Sequence, residues 1–139
     1  MKQIALIILL CLTFTKFLYS TDITIEVSNI KNSNGTIYLS LCDEANYKSK
    51  TKAIDCSFSI IKKIDGSTSY KFIMPNINAG EYAIMGFVDA NNNQKLDTNL
   101  IGIPNEPTLL SVKLTSMPSW EKLKIKINGK SKVVNLITQ

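Results

Sequence analysis

Histidine and arginine are both missing from this 139-residue sequence. Histidine is the commonest general base and the commonest transition-metal ligand in proteins, so its absence argues against most acid–base catalysis. Arginine makes the bidentate contacts with phosphate and guanine on which nucleic-acid-binding proteins depend. The composition therefore predicts neither a nucleic-acid-binding protein nor an enzyme with a histidine-dependent site.

Carboxylate pairs are the remaining route to catalysis. Asp43 with Glu44, or Asp89 with Asp97, would be the pairs available to a hydrolase such as a glycosidase. Acidic pairs on loops are far more often simply solvated. We therefore predict no catalytic residue, and a hydrolase is the least favoured alternative.

Long apolar runs are rare, and the clearest lies at the start of the chain. Lys2 precedes an apolar stretch over residues 4–14, and Lys16 interrupts the stretch that follows. About a dozen apolar residues fall short of the roughly 18–20 needed to span a bilayer. We predict a signal peptide over residues 1–20, cleaved after Ser20, and one exported domain over residues 21–139 without a membrane span. An uncleaved anchor is the alternative, and Lys16 argues against it.

Lysine supplies all of the positive charge. The full chain has a net charge of +5; two of the 16 lysines lie in residues 1–20, which leaves 14 lysines against 11 acidic residues and a net charge of +3. Scattered lysines at this density indicate ordinary solubility.

Cysteine is scarce, with three residues in the chain. Cys11 lies in the predicted signal peptide, which leaves Cys42 and Cys56. In an exported protein such a pair favours a disulfide, which closes a loop of about 15 residues and contributes roughly 3 kcal/mol to stability. A zinc site is the weaker interpretation, because further Cys or His ligands are missing.

Strand patterns dominate the predicted domain. Alternating or continuously apolar segments, separated by Asn-Gly, Asp-Gly and Pro-rich breaks, occur at residues 23–27, 36–42, 57–64, 69–74, 81–88, 109–114, 123–127 and 132–137. The first two segments are predicted to form a β-hairpin, as are the last two, around Asn128-Gly129. About seven short strands without an amphipathic helix predict an all-β fold, a single antiparallel β-sandwich.

One polar loop contains side chains that could bind a metal ion. Oxygen-bearing side chains stand at relative positions one, three, five and nine in Asp89, Asn91, Asn93 and Asp97, and the carbonyl of Lys95 falls at position seven. This is the spacing of an EF-hand-type calcium loop, in which alternate residues turn their oxygens inward to a hard cation.

The match to that loop is incomplete. Position six is Gln94 where an EF-hand has Gly, and position twelve is Leu100 where it has a bidentate Glu. Two carboxylates predict weak, millimolar calcium binding at most, with Glu106 as a further candidate ligand. The competing interpretation is a purely structural loop, because Asn and Asp crowd into long turns for their own backbone hydrogen bonds.

A family resemblance covers residues 23–136. It rests on Asp89, Asn91, Asn93, the run Lys95-Leu96-Asp97-Thr98-Asn99, and Gly102-Ile103-Pro104 with Glu106-Pro107. This pattern resembles domain-of-unknown-function family 2141, an uncharacterised family of exported bacterial proteins. The resemblance implies a prealbumin-like (transthyretin-like) or carboxypeptidase-regulatory-like β-sandwich in the periplasm or outside the cell, and it implies no established activity.

Two non-enzymatic functions follow. The first is a structural or binding module of the cell envelope, with the Cys42–Cys56 bridge, a weak calcium loop, and an envelope protein or glycan as partner. The second is a periplasmic or secreted carrier of a small glycan or peptide. Its ligand would lie between the 89–97 loop and Trp120, the aromatic residue that we expect to be exposed, beside Pro118.

Overall fold

The computed structural model describes residues 19–32, 34–49 and 56–138. Within them lie eight strands and two short helices: β1 (Ser20–Ser28), β2 (Thr36–Cys42), α1 (Glu44–Lys48), β3 (Phe58–Lys63), β4 (Tyr70–Asn78), β5 (Gly80–Asp89), β6 (Thr108–Leu110), α2 (Trp120–Leu123), β7 (Lys124–Ile127) and β8 (Lys132–Thr138). Residues 1–18 of the predicted signal peptide lie outside the described residues, so cleavage stays a prediction. Neither described helix has the length and apolar character needed to cross a bilayer.

The strands form two layers, and hydrogen bonds between strands continue from one layer into the other. In one layer β2 lies between β3 and β5, and β7 pairs with the first half of β5. In the other layer β1 lies between β4 and β8. Strand β6 pairs with β5 on one side and β8 on the other, which joins the layers. The predicted all-β sandwich is confirmed, with eight strands, and the β1–β8 pair is parallel in an otherwise antiparallel arrangement.

The main core fills the space between the layers. Alternation along β1 turns Ile23, Ile25 and Val27 to this side, and every second residue of the other strands joins them, because side chains on a strand alternate between its two faces. The fully buried members also include Ile37, Leu39, Leu41, Ile84, Val88, Leu109 and Leu136.

A second, smaller cluster covers the outer face of β5. Ala83 packs there against Trp120 and Leu123 of α2, with Tyr47 of α1 and Met85 beside them. Strand β5 is therefore covered on both faces, which explains its nearly continuous apolar sequence.

Both predicted hairpins are wrong. Strand β1 pairs with β4 and β8 while β2 pairs with β3 and β5, and β7 and β8 likewise lie in different layers. The connection from β1 crosses between the layers because Ile30 is buried in the core, where its N–H donates to the carbonyl of Thr68 at 3.0 Å. Gly35, with φ at 114°, then turns the chain into β2.

Candidate functional site

The candidate site begins where β5 ends. Asp89, the last residue of that strand, is fully buried, and its two carboxylate oxygens accept the backbone N–H groups of Asn93 at 3.1 Å and Gln94 at 2.8 Å. The chain between them turns tightly, with positive φ at Asn92 and at Gln94, the position where an EF-hand loop has Gly. Asp89 therefore fixes the start of the loop that runs from residue 89 to residue 107.

The predicted ligand side chains converge on Asp97. The amide nitrogen of Asn91 donates to this carboxylate at 2.7 Å, and that of Asn93 donates to it at 2.9 Å. The Asn91 amide oxygen also accepts the Asn93 backbone N–H at 3.1 Å, and the Asn93 amide oxygen accepts the Lys95 N–H at 2.9 Å. The side chains of Asn91 and Asn93 thus meet at Asp97, whereas Asp89 holds the loop backbone, and metal binding by these residues stays a prediction.

This cluster is rich in side-chain oxygen atoms. For a cation to bind beside Asp97, the amides of Asn91 and Asn93 would have to turn by half a rotation, which gives up the backbone hydrogen bonds that their oxygens now accept. With the carboxylates, these oxygens are the kind of donor that calcium prefers. In the part of the chain that the structure describes, no three Cys, Asp or Glu residues are arranged to hold a metal, so a cation here would depend on the amides.

Glu106 holds the loop together from inside. It is buried, with 8% of its surface exposed, and its carboxylate oxygens accept the N–H groups of Ala90 at 2.8 Å and Asp97 at 3.1 Å. The side chain offered as a further calcium ligand is therefore engaged in tying the two arms of the loop together. The two N–H donors are 16 and 9 residues away along the chain, so spacing alone gave no signal for this role.

The start of β2 packs against the loop. Thr36 pairs with Asp89 across the β2–β5 ladder, and its hydroxyl donates to the Asn92 amide oxygen at 2.9 Å. Gly35 lies directly against the backbone of Asp89 and Ala90. The loop is thus supported from a neighbouring strand as well as from within.

A second turn projects from the loop and was missed by the sequence reasoning. An isolated bridge between Thr98 and Pro104 closes it, and the side-chain oxygen of Asn99 accepts the N–H groups of Ile101 and Ile103 at 3.1 and 2.9 Å. Leu100 is fully exposed at its end. The signal in the sequence was an Asn-Leu-Ile-Gly run inside an otherwise polar loop.

Trp120 does not belong to this site. Its ring is 5% exposed and packs beside Tyr47 at a centroid distance of 5.6 Å, so the expectation of an exposed aromatic is wrong. Helix α2 begins at Trp120 and turns the ring onto Ala83. Because Ala83 and Asp89 are six residues apart on one strand, this cluster lies about 20 Å from the loop. The single ligand site expected between Trp120 and the loop is therefore not formed.

The cysteine pair lies beside Trp120. Cys42 ends β2 opposite Ala83, and its sulfur lies at disulfide-bonding distance from that of Cys56, with the two Cα atoms 4.8 Å apart. The predicted pairing of Cys42 with Cys56 is confirmed. An open hollow next to this pair is lined by Trp120 and by charged residues that include Asp43, Lys48 and Glu81.

Comparison with known proteins identifies a family. Residues 25–135 fit the model of the family DUF2141, described as an uncharacterized protein conserved in bacteria. No curated protein and no solved structure matches the chain.

Proposed function

Because the chain belongs to DUF2141, a bacterial family without an assigned activity, we propose its function from the site alone. We propose that it is an exported, non-enzymatic β-sandwich module of the cell envelope. Its 89–107 loop would bind calcium weakly and form the surface that contacts an envelope partner. The observation that carries this proposal is the convergence of Asn91 and Asn93 on Asp97, in an internally hydrogen-bonded loop whose start Asp89 fixes.

Export is supported by two independent features. Residues 1–20 have the charge and apolar pattern of a signal peptide. Cys42 and Cys56 lie at bonding distance, and disulfides persist in oxidising compartments such as the periplasm and the extracellular space. The same location supports the calcium proposal, because extracellular calcium modules function with dissociation constants in the millimolar range.

A binding function is supported by how the loop is built. Buried Asp89 and buried Glu106 together accept four backbone N–H groups, so the loop is held in one shape. A preorganised loop on a rigid scaffold loses little conformational freedom when it binds a partner. The absence of histidine from the sequence is the reason we place the protein outside enzymes.

Thermal unfolding in calcium tests the proposal. Calcium at about a hundred times Kd should raise the free energy of unfolding by about 2.7 kcal/mol. Magnesium at equal concentration controls for ionic strength, since it demands a smaller and stricter octahedral site. Asp97→Asn keeps the side-chain shape and removes the charge, so it should lose the shift, and Asp65→Asn, an exposed aspartate elsewhere, should keep it. An unchanged shift in Asp97→Asn would reject the site.

Export is tested on protein made in a bacterial host and recovered from the periplasm or the medium. Its mass should correspond to a chain without residues 1–20, and alkylation without reductant should modify neither Cys42 nor Cys56. An intact N-terminus or two reactive thiols would contradict the proposal of an exported, disulfide-bonded module.

A further inference from the structure

Three aliphatic side chains project together from the 89–107 loop. Leu100 is fully exposed, Ile101 is 77% exposed and Ile103 is 50% exposed, and all three lie in the turn closed by the Thr98–Pro104 bridge. We call these three residues the apolar tip. Single exposed aliphatics are common on protein surfaces, but neighbouring ones held at the end of one projecting turn mark an interaction site.

Most backbone N–H groups of the turn have partners within it. Asn99 donates its N–H to the Ile103 carbonyl at 2.9 Å, Gly102 donates to the Asn99 carbonyl at 3.0 Å, and the Asn99 side chain accepts from Ile101 and Ile103. Four N–H donors of residues 99–103 therefore have partners inside the turn. An apolar medium penalises unpaired backbone donors, so this turn can leave water at a reduced cost.

These properties favour a lipid surface over the other partners that a binding module could have. The tip is exposed and purely aliphatic, whereas a glycan is bound by aromatic and polar side chains, which the tip does not offer. Polar residues flank the tip in sequence, with Asn99 before it and Asn105 after it. Residues 89–107 carry three carboxylates against one lysine, so we expect the contact to depend on the apolar side chains and not on anionic lipid.

We propose that the apolar tip inserts into the surface of a lipid bilayer and that this contact docks the domain on a membrane of the envelope. The inference rests on the proposed role of the 89–107 loop as the binding surface and does not require calcium in that loop. Insertion would bury the tip side chains among acyl chains while the sandwich stays in water. Each aliphatic side chain fully removed from water contributes about tenfold or more to partitioning.

Vesicle co-sedimentation tests the proposal on the exported protein whose mass shows that residues 1–20 are absent. Vesicles of phosphatidylcholine alone, and of phosphatidylcholine with phosphatidylglycerol, separate the apolar contribution from the charge contribution. The double variant Leu100→Ser/Ile101→Ser should partition at least about tenfold more weakly than the wild type. Ile73→Ser removes an aliphatic side chain of similar exposure from β4 and should leave partitioning unchanged.

A fluorescent probe gives a second, independent readout. In the Leu100→Trp variant, brominated lipids should quench the new fluorophore, whereas Trp120 in the wild type is buried and should not be quenched. This measurement reports the position of the tip even if another part of the chain also touches the vesicle. Equal thermal stability of the variants and the wild type would show that the fold is retained.

Each alternative result is informative. Wild-type protein that stays in solution with both vesicle types, or a double variant that binds as well as the wild type, would overturn the proposal. A dimer that is lost in the double variant, without vesicle binding, would instead assign the tip to self-association. Thermal melting in calcium separates this inference from the calcium proposal. Vesicle binding without a calcium-induced rise in melting temperature would reject the calcium site and keep the membrane contact. A calcium-induced rise without vesicle binding would reject the membrane contact and keep the calcium site.

Discussion

Gly35 lies so close to Asp89 that a Cβ atom at Gly35 would stand 2.6 Å from the Asp89 carbonyl oxygen. Its φ of 114° is also unfavourable for any residue with a side chain. The turn that changes layers and the strand end that begins the candidate site are therefore in direct contact. Substitution of Gly35 should therefore disturb both the turn and the start of the candidate site.

Gly35→Ala should lower the free energy of unfolding by about 3 kcal/mol, since backbone strain and a steric clash with Asp89 add together. Gly66→Ala is the matched control, because Gly66 has φ of 89° and nothing within 4 Å of an added Cβ. It should cost only the strain, about 1 kcal/mol. Urea unfolding measures both, and equal losses would show that the Asp89 contact is unimportant.

Glu106→Gln should lower the free energy of local opening of the loop by about 2 kcal/mol. The reason is that the oxygen of an amide can accept one of the two N–H groups that the two carboxylate oxygens now accept. Amide hydrogen exchange should accelerate at Ala90 and Asp97. Glu121→Gln is the control, as this glutamate is exposed and pairs with Lys124 at the surface. Unchanged exchange at both amides would remove Glu106 from the support of the loop.

Reduction of the Cys42–Cys56 pair should lower the free energy of unfolding by about 3 kcal/mol, the value for closure of a loop of about 15 residues. Urea unfolding with and without reductant measures this difference. The double variant Cys42→Ala/Cys56→Ala should unfold at the same urea concentration in both conditions. A wild type equally insensitive to reductant would mean that the bridge contributes nothing to stability.

The pKa of the Asp65 carboxyl lies well below its ordinary value of 3.8, because the hydroxyl of Ser67 and the phenol of Tyr70 donate to it, the latter at 2.8 Å. Since the pKa is lowered by folding, ionised Asp65 stabilises the fold above pH 3.8, and this contribution is lost as the pH falls through the folded pKa. Carbon NMR of the carboxyl should show the low midpoint. Tyr70→Phe should raise the pKa of Asp65 towards 3.8, and an unchanged midpoint would contradict the assignment.

Trp120 should emit as a buried indole and resist quenching by acrylamide, since its ring is covered by Tyr47 and Leu123. Tyr47→Ala should increase quenching, because it uncovers one side of the ring. Tyr38→Ala is the control, as Tyr38 stacks on Phe87 at 5.0 Å on a different part of the sheet. Strong quenching in the wild type would restore the exposed position that the sequence predicted.

Strand positions were predictable from sequence, but their partners were not. Alternation in Ile23, Ile25 and Val27 identifies a strand with one buried face, and β1 has that strand. Alternation carries no information on which neighbour supplies the hydrogen bonds. A short turn beside Gly35 favoured a hairpin, and burial of Ile30 in the intervening segment directs the chain to the other layer instead.

In the candidate site, too, some features were predictable from the sequence and others were not. Asn91 and Asn93 meet Asp97 because spacing along a curling loop fixes which side chains face inward, and metal binding at these residues stays a prediction. The role of Glu106 and the projection of Leu100 depend on how distant parts of the loop return to each other. Trp120 was misplaced because Pro118 indicated a loop, whereas the chain forms a single helical turn from Trp120 to Leu123.

The parallel β1–β8 pair has a mechanical consequence. The register runs from Ile23 opposite Lys132 to Ser28 opposite Ile137, so the chain enters β1 at one end of the pair and leaves β8 at the other. Tension transmitted along the polypeptide through these two strands would pull them past each other in shear. The inter-strand hydrogen bonds would then bear the load together, whereas a hairpin pulled from its open end unzips one bond at a time. A domain held at a surface through one end and pulled through the other would be mechanically resistant in this direction.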